Sequence, residues 1–500
     1  MRAPPSPPTV AAARPLRAAS WWRLVPSWPW LVAVAVLARA LASPAALLHD
    51  PDTYLHIAAG RWMLAHLALP GGDPFSFTAA GARWAPPEWL GEIALAVVYR
   101  AAGWGGAALL AGACFAAAIA LLMHFLLRRV EPLPAAIAAL AGAMLVLPHL
   151  LARPHVLALP LLVLWCGGLF SAPDDGRAPP WRLLPAMLLW ANLHASFLFG
   201  LALAGWLAGE AVLRPAPGVA QRAEARRWGG FVAAAVTVAL INANGATALV
   251  QPLRLMAMPA LQGGFGEWLP ADLARFPALE LWLLGALALG FAARAKVPWT
   301  RLVLLLGLVH MALAHVRHAD LLGLVAPLAI AAALGPALAV LTASASASAL
   351  VQGAARLAGP SGWPARLVAL ALAAVIGLPA LLRPIDRADD PVTPQSALAA
   401  ARRLDLSGPV LNSEAFGGYL IFSGVPVFID GRVELYGNDF LAAYLAAERG
   451  DAAALARLLD RYGIAWTLLQ APSPAVAALD RLPGWRRAYA DGVAVIHVRQ

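Results

Sequence analysis

Apolar runs, broken at intervals by Pro, Gly, Arg and Asn, dominate the first four-fifths of the chain. Helix-length runs fall near 28–47, 104–127, 134–150, 155–171, 181–193, 196–213, 228–243, 276–294, 301–314, 319–341 and 365–383. The recurrence of apolar runs near the ~30 Å thickness of a hydrocarbon core predicts about eleven transmembrane helices. After a polar stretch at 384–397 (RPIDRADDPVTPQS) the pattern changes character. Strand-like runs at 409–413, 418–422, 425–430, 466–469 and 493–498 alternate with a helical pattern over 439–462 and a short one from Ser473. That alternation predicts a small α/β domain.

The expected organisation is therefore an N-terminal arm (1–27), a membrane bundle (28–383) with a large first loop (48–103), a linker (384–397) and an α/β domain (398–500). Composition supports the membrane reading, with 61% hydrophobic and 13% charged residues. The net charge of +10 does not point to nucleic acid, because no basic face interleaved with aromatics lies outside the apolar runs. Arg clusters instead fall in alternate short loops: the N-terminal arm, Arg128/Arg129, Arg177/Arg182, Arg214 to Arg227, and Arg294/Lys296/Arg301. The positive-inside rule places these loops in the cytoplasm, with 48–103, 151–154, 244–275, 315–318 and 384–500 outside. Trp21, Trp22, Trp28 and Trp30 read as an interfacial belt before a retained first helix. Cys114 and Cys166 lie in apolar runs, so the exported domain is expected to hold together without a disulfide. The low-complexity stretch at 342–364 carries no recognisable chemistry.

The polar clusters sort onto the external loops. They are His49–Asp52, Pro148–His149 with Arg153–His155, Asn192–His194, Asn242–Gly245, Glu267–Trp268 and His315–His318. Ionisable groups at membrane depth are costly, and a convergent set marks a functional site. Asp50 and Asp52 form a D-x-D pair able to chelate a divalent metal or supply a general base. The structural alternative is that Asp52 caps the helix that follows. That segment, 54–67, reads as an amphipathic helix lying along the interface. Arg153 and Arg317 could receive phosphate, or snorkel into head groups. His56, His155, Asn192 and His194 are candidate substrate contacts, although interfacial histidines are commonly structural. No convincing ligand spacing appears, so metal use stays open. Glu267 and Trp268 suit a sugar ring, stacked on the indole and bonded by the acid; a membrane anchor is the alternative. Asp73, Glu88 and the Asp430-Gly431-Arg432 turn fit structural roles, and Gly417-Gly418 a turn or a close backbone approach. The alternative for the Asp430 turn, which Glu434 and Tyr436 follow, is contact with the membrane-side site or an acceptor.

Several strings extend this picture: HDPDTYLHIAAGRWMLAHLALPGGDPFSFTAAGARWAPPEWLGE, LWANLHASFLFG, INANG, EWLPAD and FGGYLIFSGVPVFIDGRVELYG. Together they resemble a family of largely uncharacterised bacterial membrane proteins. An acidic first external loop, an interfacial helix, a many-span bundle and an exported C-terminal domain also resemble the GT-C glycosyltransferases. That resemblance implies a bacterial inner-membrane enzyme moving a sugar from a polyprenyl-phosphate carrier to a hydroxyl acceptor at the outer face. It implies Asp50 or Asp52 as the base, with membrane lipids and the lipid-linked sugar as partners. A non-catalytic scaffold with a partner-binding exported domain is the alternative. A transporter for lipid-linked glycans is a further one, disfavoured because no internal repeat or paired broken helices are seen. No G-x-G-x-x-G or Walker motif suggests a soluble nucleotide donor.

Overall fold

The computed structural model describes residues 23–215, 217–264, 266–342 and 348–500. Most of the N-terminal arm, including Trp21 and Trp22, and the ASASA segment at 343–347 lie outside the described residues. Every apolar run singled out above is helical along most of its length. Five helices are long and apolar enough to cross a membrane: 89–126, 132–149, 154–174, 316–341 and 363–382. Shorter apolar helices span Trp28–Leu41, Phe197–Leu213, Pro277–Ala293 and Trp299–Ala314. The run at 181–193 yields only a ten-residue α-helix, Leu184–Leu193, after a 3-10 turn. The second run begins earlier than expected. Helix Trp89–Leu126 is interrupted at Ala102 and Gly103, so its first part belongs to the polar loop before the apolar span.

The helix that opens the first loop, Pro51–His66, departs from expectation in two ways. First, its N-cap is Asp50, whose side chain accepts from the Asp52 N–H at 2.8 Å; Asp52 sits one position inside the helix. Second, it is not an amphipathic surface helix. Thr53 to Ile57 are buried in an unbroken run, which requires protein on every side. One side is the helix Trp89–Leu126 and another is the helix Glu414–Phe422 of the C-terminal region. A Cβ on Gly418 would overlap the carbonyl of Pro51, so glycine alone permits this approach of two backbones.

The C-terminal region is built on four strands, β1 (Val410–Asn412), β2 (Trp466–Gln470), β3 (Trp485–Ala490) and β4 (Ala494–Arg499), in the order β1-β2-β4-β3. β1 runs parallel to β2, and β4 pairs antiparallel with both β2 and β3. β3 was not expected; its sequence, WRRAYA, alternates too weakly to signal a strand. The expected strand at 418–422 is helical instead, because EAFGGYLIF packs its apolar residues on two sides at once. The run at 425–430 forms no strand beyond a single bridge between Ser76 and Val427. The expected helix over 439–462 divides into Asn438–Glu448 and Ala452–Arg461, the second capped by Asp451 on the Ala453 and Ala454 N–H groups.

This region is fastened to the bundle side. Leu55 shares a core with Val410, Phe416 and Ile496, and Leu261 and Trp268 share one with Phe428 and Tyr444. Phe77 N–H donates to the Val427 carbonyl and Val427 N–H to that of Phe75, both at 3.1 Å. Arg387 donates to the Leu48 carbonyl and lies over the rings of Tyr54 and Trp104.

Candidate functional site

Where the first-loop helix, the bundle and the C-terminal region meet, ionisable side chains gather. Arg153 precedes the helix Pro154–Asp174 and reaches the start of the first-loop helix. Its guanidinium contacts Asp50 at 3.1 Å, Asp52 at 2.7 Å and, more loosely, Glu267 at 3.8 Å. Arg317, in the 3-10 turn Val316–His318, meets the other oxygen of Glu267 at 3.6 Å and lies 4.5 Å over the Trp268 ring. His315 Nδ1 donates to the Trp268 carbonyl at 2.6 Å, tying that turn to the Glu267 loop.

A second row of groups runs behind the aspartates. His56, one helical turn after Asp52, donates from Nδ1 to Glu92 at 3.2 Å and turns Nε2 toward Glu88 at 3.7 Å. The other Glu88 oxygen faces His194 Nε2 at 3.4 Å. His194 Nδ1 accepts from the Ser196 N–H, so Nε2 carries the proton and points it at Glu88. His155 sits with its ring 6.0 Å from that of His194 and donates to the His149 carbonyl. Asn192 stands at the edge in a supporting role. It accepts from the Trp89 indole at 2.7 Å and donates to the carbonyls of Leu188 and Ile241, anchoring the residue next to Glu88.

The electrostatics follow from this packing. Burial raises the Asp52 pKa, against the lowering pull of Arg153. Burial likewise pushes Glu88 up to about 7, opposed by His56. For Glu267, the nearby Arg153 and Arg317 overcome the effect of burial and hold the carboxylate below its ordinary value. Burial alone would lower His56, but Glu92, Glu88 and Asp52 raise it overall. His194 is held well below its usual range by burial, reinforced by His155, Arg317 and Arg153.

The structure thus gathers Asp50, Asp52, His56, Arg153, His155, His194, Glu267, Trp268 and Arg317 in one place, with Asn192 beside them. It also brings in groups that sequence reasoning passed over. Glu92 is one; its spacing from Glu88, one helical turn apart in PPEWLGE, was the available signal. The C-terminal region adds Glu414, and also Glu434, which the sequence places beside the Asp430-Gly431-Arg432 turn. Burial, with Asp52, Asp430 and Asp50 adding, pushes Glu414 up to about 8; burial raises Glu434 to about 7. Gly431 lies so close to the aspartates that a Cβ there would overlap the Asp52 carboxylate. Beside it, Arg432 pairs with Asp430 at 2.6 Å and with Asp73 of the first loop at 2.6 Å. Asp73 also accepts from the N–H groups of Phe75 and Ser76, which makes it both a turn residue and the far half of a clamp.

The fit to a metal is poor. Among the described residues no group of three or more His, Cys, Asp or Glu side chains could hold an ion. The D-x-D pair is turned onto Arg153, so no metal is assigned a role.

No family model matches the sequence, and no curated protein matches it. Two solved structures are similar in architecture. ArnT from Cupriavidus metallidurans in the apo state shares 14% identity at a TM-score of 0.47, over 94% of this chain and 96% of that one. The Archaeoglobus fulgidus oligosaccharyltransferase in complex with Zn and sulfate shares 14% identity at a TM-score of 0.46, over 94% of this chain and 73% of that one. Both have the GT-C fold. At these scores the likeness is one of overall architecture alone.

Proposed function

We propose that the chain is a membrane glycosyltransferase, moving a sugar from a polyprenyl-phosphate carrier to a hydroxyl acceptor at the outer face of the inner membrane. The observation that carries this reading is the gathering of a largely buried carboxylate pair on Arg153, with Arg317 joined to it through Glu267, beneath the C-terminal region. Asp52 is the base. Both aspartates pair with Arg153, but Asp50 is also committed to capping the helix, whereas burial makes Asp52 more basic than an ordinary aspartate. Asp52 takes the proton of the acceptor hydroxyl as that oxygen bonds to the anomeric carbon. The bond from that carbon to the phosphate oxygen breaks, and its electron pair stays on the phosphate. Arg153 and Arg317 stabilise the charge that develops there.

A scaffold is the second reading, favoured by the same contacts: Arg153 already neutralises both aspartates, as a structural ion cluster would. Purified wild type, Asp50→Asn and Asp52→Asn distinguish the two when assayed for release of polyprenyl phosphate from a panel of lipid-linked sugars. Turnover lost in a folded Asp52→Asn protein supports the transferase. Absence of turnover in all three, with unchanged folding, leaves the scaffold.

A further inference from the structure

The two guanidiniums of the site are not held in the same way. Arg153 makes close ion pairs with the aspartates, but its contact with Glu267 is 3.8 Å. Arg317 has Glu267 as its nearest acid, at 3.6 Å. Each Glu267 oxygen therefore faces a different arginine, at a distance longer than a formed charge-assisted bond. Glu267 itself is more than a third exposed, with side-chain exposure of 38%, in a 3-10 turn at the rim of the cleft. Around it are two imidazoles with unused nitrogens. His149 Nε2 and His318 Nδ1 are buried without a hydrogen-bond partner among the described residues. Both rings lie within electrostatic reach of Arg317 and Glu267. His318 gives its other ring nitrogen to the Met311 carbonyl, so its Nδ1 is an acceptor. His149 Nε2, within reach of Arg317, is the nitrogen left for an acceptor to meet.

We infer that Arg153, Arg317 and His149 form a phosphate site, and that the Glu267 carboxylate is a resident stand-in for that phosphate. In the free protein Asp50 and Asp52 compensate Arg153, and Glu267 is the acid that compensates Arg317. A phosphate mono- or diester brings more acceptor oxygens than a carboxylate. It can engage both arginines and accept from His149 Nε2, which a carboxylate at this distance does not. The incoming phosphate displaces Glu267, and the rim turn carries the displaced side chain outward to water. Glu267 then sets how selectively the site takes phosphate, since a weaker anion cannot compete with a tethered carboxylate. The inference deepens the transferase reading in naming the group recognised, yet phosphate affinity is measurable without any turnover.

Equilibrium binding of inorganic phosphate and of a polyprenyl phosphate is measured on the detergent-purified full chain, for wild type, Glu267→Gln, Arg317→Gln and the double variant. Gln keeps the shape of Glu and removes the competing charge. Expected is a gain of about tenfold in affinity for Glu267→Gln, close to 1.4 kcal/mol, which is abolished in the double variant. Polyprenyl phosphate binding more tightly than inorganic phosphate identifies a lipid head group as the source; equal affinities identify free phosphate. Unchanged or weaker binding by a Glu267→Gln protein of normal thermal stability overturns the inference. So does a gain that survives loss of Arg317, or no binding by any of the proteins. Absence of sugar transfer alongside the expected binding pattern overturns the transferase reading and leaves the phosphate site standing.

Discussion

The ion clusters around Arg301 and around Arg153 are built differently. The one around Arg301 is closed. Arg301 is 2% exposed, bonds both oxygens of Glu210 through Nε at 2.8 Å, and reaches Asp174 and the Ala329 carbonyl with its remaining nitrogens. Its guanidinium stacks 4.6 Å over Phe170. Four helices are thereby joined by one side chain. The sequence suggested a loop arginine that marks the cytoplasmic side; the structure buries it. The cluster around Arg153 is open. It has more acids than bases, two long ion pairs, a half-exposed carboxylate, and unsatisfied atoms on Glu92, His149 and His318. A cluster whose task is to hold helices together has reason to close every bond, because each unmet one weakens the fold. A cluster whose task is to receive a ligand leaves bonds for that ligand to make.

Removing the central cation separates the two most sharply. Arg301→Ala leaves Glu210 and Asp174 uncompensated in an apolar surrounding, and is expected to cost about 3–5 kcal/mol of stability. Thermal unfolding in detergent reads this as a large fall in Tm; a shift within error would show that the closed cluster holds nothing together. Asp52→Asn is the opposite test. It is expected to lower sugar transfer by about 10²- to 10⁴-fold, the usual contribution of a general base, with Tm near that of wild type. A large loss of stability instead would class the outer cluster with the inner one.

Smaller changes refine the contrast. Gly431→Ala places a methyl group against the Asp52 carboxylate. A displacement on the order of 1 Å in a catalytic group costs roughly 10²-fold in rate, so kcat should drop with little change in unfolding. Gly359→Ala, with open space around it, serves as the control. Equal activities for the two variants would remove Gly431 from the site.

A further effect is one of pH. Glu414 has a folded-state pKa of about 8, raised by burial, against an ordinary 4.5. The folded protein therefore binds this proton more tightly than the unfolded chain does. Its stabilising effect is complete below about pH 4.5 and is lost as the pH rises toward 8. Wild-type Tm should decline across that window, and Glu414→Gln should flatten the decline. An unchanged slope would mean that Glu414 is ionised and solvated in the folded protein.

The long helices were legible because one physical rule, burial of backbone polar groups in hydrocarbon, writes itself as uninterrupted apolar sequence. Asp50, Asp52, Arg153 and Glu267 were legible as candidates because charge beside apolar runs is unusual. Other features were less so. The 418–422 stretch is too short and too uniformly apolar to tell helix from strand. Its helical form depends on Gly418 meeting Pro51 from a distant part of the chain. Glu414 looks like an ordinary surface acid until the C-terminal region is laid over the first loop.

The chain's own composition and periodicity determined that it is a helical membrane bundle with a mixed C-terminal region, since each of those properties is encoded locally. Only the tertiary structure decided which polar groups meet. Arg153 lies 103 positions from Asp50, and Arg432 lies 359 from Asp73. Apolar runs of near-equal hydrophobicity do not specify their neighbours one by one. Partners across such separations are selected by packing, by close glycine approaches and by the need to neutralise buried charge.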